Sequence, residues 1–160
     1  MLKTNWIEFF LRNIPETFIV VWGIHVISRK SLDISKYILS SIIIAIVAFF
    51  VRWLPIYFGV HTFINIIITI SIMVIVGIPV IKSIYSTFII FFMLFVSELL
   101  NMIIFSLLNI NTSIEFLNPS MKCLYCLPSL ILLLLFIKTV NYLLKIKERT
   151  NMSLIYKRIK

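Results

Sequence analysis

The sequence predicts an all-α fold, a polytopic helical bundle of about five transmembrane helices, and three observations predict it. The chain is 61% hydrophobic and only 13% charged, with a mean hydropathy of +1.10. A soluble domain of this size has too little interior to hide so much apolar side chain. Several windows run 17 or more residues almost without charge, the length a helix needs to cross roughly 30 Å of hydrocarbon. The apolar runs are also continuous. A membrane β-barrel would alternate apolar and polar residues in strands of about ten.

The spans follow from the charges and breakers between them. Span one lies within Ile14–Ser28, and "RKSLDISK" separates it from span two, Ile34–Val51. Ser31 or Asp33 is placed to cap the second helix. "WLPIYFG" precedes span three, Thr62–Ile78, which Gly77 and Pro79 end or kink. Span four is Ile84–Leu108. The one sizeable loop, "NINTSIEFLNPSMK", leads to span five, Leu127–Leu144. Glu8, Arg12 and Glu16 interrupt the first apolar stretch, which argues against a cleaved signal peptide. A helix through "TNWIEFFLRNIPE" would lengthen span one with a kink at Pro15. Alternatively residues 2–12 lie in the interface. With Gly 3 and Pro 5 there is no linker, so residues 1–146 read as one helical membrane domain and 147–160 as a basic cytoplasmic tail.

Basic residues orient the bundle. With the N-terminus outside, 11 of the 15 Lys and Arg fall on the inner side (Arg29, Lys30, Lys36, Lys82, Lys138 and those beyond it) and four outside, Lys3, Arg12, Arg52 and Lys122. The positive-inside rule then gives N-out and C-in. The net charge of +9 reads as orientation and contact with anionic headgroups. Nucleic-acid binding would need a soluble basic surface that this chain does not offer.

Charged residues inside the spans are the candidate site. Glu98 falls deep in span four, where a carboxylate is protonated, paired, or facing a polar cavity. Asn101 follows on the same helix face. Arg52, beside Trp53, either snorkels to the outer headgroups or turns inward to pair with Glu98 or Glu16. His61, near the mouth of span three, is able to cap a helix or titrate near neutral pH. The plain reading of Glu98 is interhelical hydrogen bonding.

Other chemistry has little support. His25 and His61 are far apart with no local ligands, which excludes a metal site, and no cofactor is expected. Cys123 and Cys126 have the CxxC spacing of thiol–disulfide exchange. A quinone-linked oxidoreductase would need a second pair, so two buried apolar cysteines are the simpler account. The sequence lacks HExxH, a Gly-rich phosphate loop and a Ser-His-acid pattern.

"NIPETFIVVWG" (Asn13–Gly23), "VRWLPIYFGVHTFINIIITI" (Val51–Ile70) and "FVSELLNMII" (Phe95–Ile104) resemble the N-terminal membrane module of some Firmicute sensor histidine kinases of the GHKL type. The matching positions are Pro15 and Glu16, Arg52 with Pro55, Gly59 with His61 and Thr62, and Glu98. The resemblance spans roughly residues 10–145 and implies a sensory module of the bacterial cytoplasmic membrane. The sequence carries no phospho-acceptor helix and no ATP-binding domain. The expectation is therefore a non-enzymatic sensory, regulatory or accessory subunit that acts through a protein partner or as a homo-oligomer. The two alternatives are a CxxC oxidoreductase and a transporter-like or channel-like subunit with a Glu98–Arg52 polar path.

Overall fold

In the computed structural model the backbone is described for residues 9–53, 59–107 and 119–159, and the side chains for 9–52, 59–107 and 127–150. Every element among them is helical: a π-helical turn Phe9–Asn13, then α1 (Ile14–Ser28), α2 (Ile34–Trp53), α3 (Val60–Ile75), α4 (Val80–Leu107) and α5 (Pro119–Ile159). Four stretches are long and apolar enough to cross a membrane: Phe9–Ser28, Ile34–Arg52, Val80–Leu107 and Leu127–Thr150. The fifth helix, α3, has 16 residues and rises only about 24 Å.

The expected third span ran to Ile78, and α3 ends three residues earlier for a local reason. Gly77 adopts φ +98°, a conformation that costs glycine little. Its N–H donates to Val74 O at 2.9 Å, and Ile78 N–H donates to Met73 O at 3.1 Å. This pair of bonds is a Schellman motif, and the apolar contact that accompanies such motifs is made by Met73 and Ile78, both in the core. Pro79 O then accepts from Ser83 N–H at 2.9 Å to start α4. At the head of α2, Asp33 O accepts from Tyr37 N–H at 2.8 Å. Asp33, rather than Ser31, thus stands at the start of that helix.

Helix α1 is the axis of the bundle. It packs against α2, α4 and α5, while α3 bridges α2 and α4. Its apolar residues point in several directions, as expected of a helix surrounded by protein. Val20, Val21, Ile24 and Ile27 join Ile44, Met73, Ile78, Ile90, Leu133 and Ile137 in one core. Gly23 permits the closest approach: a Cβ there would lie 2.5 Å from Ile90 Cδ1 and 2.9 Å from Ile137 Cδ1. The outward faces are apolar instead of charged, with Phe50, Phe63, Ile67, Ile81, Phe92 and Met102 all exposed.

Small polar residues lie inside. Ser97 Oγ donates to Ser129 O at 3.0 Å and ties α4 to α5, Ser83 Oγ donates to Ile70 O at 3.2 Å between α4 and α3, and Tyr37 Oη donates to Phe18 O at 3.0 Å between α2 and α1. An apolar exterior with hydrogen-bonded small residues at helix contacts is the packing that lipid-embedded bundles require.

Helix α5 has 41 residues, about 60 Å of rise and roughly twice a hydrocarbon core. Its first four residues, Pro119 to Lys122, fall in the stretch that the sequence predicts as loop. Proline suits a first helical position because its missing N–H would be unpaired there. The helix also continues through the expected tail as far as Ile159.

Candidate functional site

The polar cluster forms at the π-helical turn, which packs against α2 and α5 and reaches α4 through the Arg12 side chain. Pro15 contributes no N–H to the start of α1, and the Thr17 hydroxyl supplies a donor instead, to Asn13 O at 3.0 Å and Ile14 O at 2.8 Å. Asn13 Nδ2 donates to Ala45 O at 2.8 Å, which fixes the turn against α2. A π-turn carries one extra residue per turn, and this one carries Arg12.

Arg12 reaches two acids. Its Nη2 lies 2.8 Å from Glu98 Oε1, and its Nε lies 3.7 Å from Glu16 Oε2. The side chains are 25% exposed for Arg12, 41% for Glu98 and 12% for Glu16. The cluster is therefore enclosed on the Glu16 side and open on the Glu98 side. A guanidinium is suited to this bridging, because its planar fork holds several donors around one charge.

Beside it lies a cavity of about 40 Å³ whose wall includes Asn13, Glu16, Thr17, Arg52, Asn65 and Thr69. That volume holds a few waters and is far below the roughly 300 Å³ of small-molecule pockets. Thr69 Oγ1 is buried with no hydrogen-bond partner among the described residues. A water in the cavity would satisfy it.

The residues singled out by sequence fare differently. Glu16 and Glu98 are brought together, and the cation between them is Arg12. Arg52 lines the same cavity as Glu16, but among the described residues no ion pair within 4.0 Å joins it to either acid. Asn101 is buried one turn beyond Glu98, and His61 is half-buried in the first turn of α3; neither lines the cavity. Cys123 and Cys126 sit on helical backbone, but their side chains lie outside the described residues, as do the side chain of Trp53, the backbone of Pro55 and most of the loop before α5. Arg12, Asn13, Thr17 and Thr69 were not anticipated in the cluster. One signal was legible: Arg12 and Glu16 are spaced i, i+4, which puts them on one helix face.

A second charge contact lies at the far end of α1. Arg29, just past Ser28, has φ +55° and its Nε is 3.3 Å from Glu148 Oε1 of α5. Helix α1 is thus tied by arginine to α4 at one end and to α5 at the other. Comparison of the chain with protein-family models, curated proteins and solved structures found no match.

Proposed function

We propose that this chain is a non-enzymatic sensory or regulatory subunit of the bacterial cytoplasmic membrane, crossing it several times and acting through a protein partner. One observation carries the reading. The buried central helix α1 ends in an Arg12–Glu98 contact at one face and an Arg29–Glu148 contact at the other. The Arg12–Glu98–Glu16 group is partly open, and one arginine shared by two acids has two arrangements available. A ligand or ion that favours one of them shifts the population of α1 positions. The helix that would report the shift, α5, continues well beyond the bilayer as a charged segment able to meet anionic headgroups or a partner. The likeness of the sequence to kinase membrane modules points the same way.

The test reads coupling from end to end. A photo-crosslinking residue is placed at Lys147, which is exposed, and the chain is purified from native membranes with and without Arg12→Met. The expected result is one captured protein whose yield changes several-fold in the variant. Equal capture from both removes the relay. Ion or proton flux in liposomes that Glu98→Gln abolishes would replace it with a transport function.

A further inference from the structure

Lys138 stands alone inside a span. It lies in the Leu127–Thr150 stretch, its side chain is exposed, and among the described residues it makes no hydrogen bond or ion pair. Its depth follows from its neighbours. Ile137 touches the position of Gly23, and Gly23 precedes Arg29 by six residues, about 9 Å of helical rise. The span that Arg29 closes, Phe9–Ser28, has 20 residues, or about 30 Å. Lys138 therefore sits nearer the middle of the hydrocarbon than its edge, although the sequence places it with the inner-side cations. Glu148, which pairs with Arg29, lies ten residues further along α5.

A lysine at that depth with a lipid-facing side chain is costly, and its four-carbon stem does not reach the headgroups unless the bilayer thins. Its surroundings form a continuous stripe. Ile131, Leu135, Lys138 and Tyr142 follow at i, i+4, i+7 and i+11, and all are exposed. That is the footprint of one apolar helix laid along another, with a single cation in its centre.

We infer that this face of α5 is a docking surface for a transmembrane helix of a partner protein that carries one aspartate or glutamate level with Lys138. Charge complementarity selects the occupant. A carboxylate is equally costly alone in lipid, and pairing relieves both groups. Two copies meeting symmetrically on this stripe would set lysine against lysine. The proposal rests on the partner-dependent reading above and gives the partner a chemical signature.

The probe is a polyleucine transmembrane peptide with one aspartate at the Lys138 level, mixed at low density with the full chain in phosphatidylcholine liposomes. Energy transfer between labels reports association. Lys138 is exposed and makes no hydrogen bond or ion pair among the described residues, so Lys138→Leu tests the surface without removing a polar contact of the bundle. Association of the aspartate peptide is expected to exceed that of all-leucine and asparagine peptides at least fivefold. It should vanish in Lys138→Leu and return in Lys138→Arg. Equal association of all three peptides, or binding that survives Lys138→Leu, overturns the proposal. So does transfer between two copies of the chain that Lys138→Leu abolishes, which would make the occupant a second copy. Loss of the peptide signal on adding phosphatidylglycerol would assign the lysine to headgroups and overturn it too. The peptide assay contains no native partner, so its failure leaves the crosslinking result from Lys147 to be judged separately.

Discussion

Arg12 and Glu98 are 86 residues apart in the chain and meet at 2.8 Å, joining the turn before α1 to the C-terminal half of α4. The contact explains how an acid is accommodated in a 28-residue apolar helix: it has a permanent cation as partner, and its side chain is partly exposed. It also gives to Arg12 the pairing that the sequence suggests for Arg52.

The first prediction is a double-mutant comparison of stability in detergent. A hydrogen bond to a charged group contributes roughly 1.5–3 kcal/mol, and exposure of this pair reduces that figure. Arg12→Met should therefore cost about 1–2 kcal/mol, and Arg52→Met less than about 1 kcal/mol. Arg12→Met and Glu98→Gln should be non-additive by at least about 0.5 kcal/mol, whereas Arg52→Met and Glu98→Gln should add. Coupling through Arg52 and none through Arg12 would refute the assignment.

Gly23 supplies the second. An alanine Cβ there would press on Ile90 Cδ1 at 2.5 Å, and Ile90 and Ile137 are fully buried. Overpacking costs about 1–3 kcal/mol, against a helix-propensity gain of about 0.5–1 kcal/mol for replacing glycine. Gly23→Ala should thus lower the thermal midpoint. Ile90→Val removes the very Cδ1 in question, so it should destabilise the wild type but restore stability to Gly23→Ala. If Ile90→Val is equally harmful in both backgrounds, α1 and α4 are not in this contact.

These two sites show what the sequence made legible. The class of fold, the number of helices and the bounds of α1 followed from hydrophobic runs and the charges between them, because in lipid each backbone group must pair within its own helix. Identifying Glu98 needed only its charge and its place in span four. Choosing its partner needed tertiary structure. Arg12 and Arg52 are both predicted at the outer end, and only the π-turn, which local patterns do not announce, brings the first toward α4. The closeness of Gly23 to α4 and α5 was equally hidden, since a glycine in an apolar run has several explanations. The helix α3 ends three residues before the apolar run does, because the Schellman motif uses Ile78 as a core contact beyond the helix.

Thr87 gives a third prediction. Its hydroxyl is fully buried with no hydrogen-bond partner among the described residues. An unsatisfied buried polar group costs about 1–3 kcal/mol, so Thr87→Val, which keeps the shape, should be neutral or raise the thermal midpoint. By contrast Ser97→Ala removes the bond to Ser129 O and should cost about 0.6 kcal/mol, the average for such interhelical bonds in a membrane. A clear loss on Thr87→Val would mean that a bound water completes that site.

The last prediction concerns which residues share a side of the membrane. The Arg29–Glu148 distance of 3.3 Å puts the α1–α2 turn and the charged part of α5 at one end of the bundle. The Arg12–Glu98 contact puts the π-turn and the C-terminal half of α4 at the other. Single cysteines at Ser31 and Arg149 should therefore respond alike to an impermeant thiol reagent, and a cysteine at Val60, exposed at the start of α3, should respond oppositely. Cys123 and Cys126 are replaced by serine in all three. The positive-inside rule adds the direction: in intact cells Val60→Cys should label, while Ser31→Cys and Arg149→Cys should label only after the membrane is opened. If the sets label in reverse, the bundle stands but its orientation is inverted, and the Arg12 cluster faces the cytoplasm. If Ser31→Cys and Arg149→Cys disagree with each other, the Arg29–Glu148 contact cannot exist in the membrane. The end-to-end relay through α1 would then lose its second anchor.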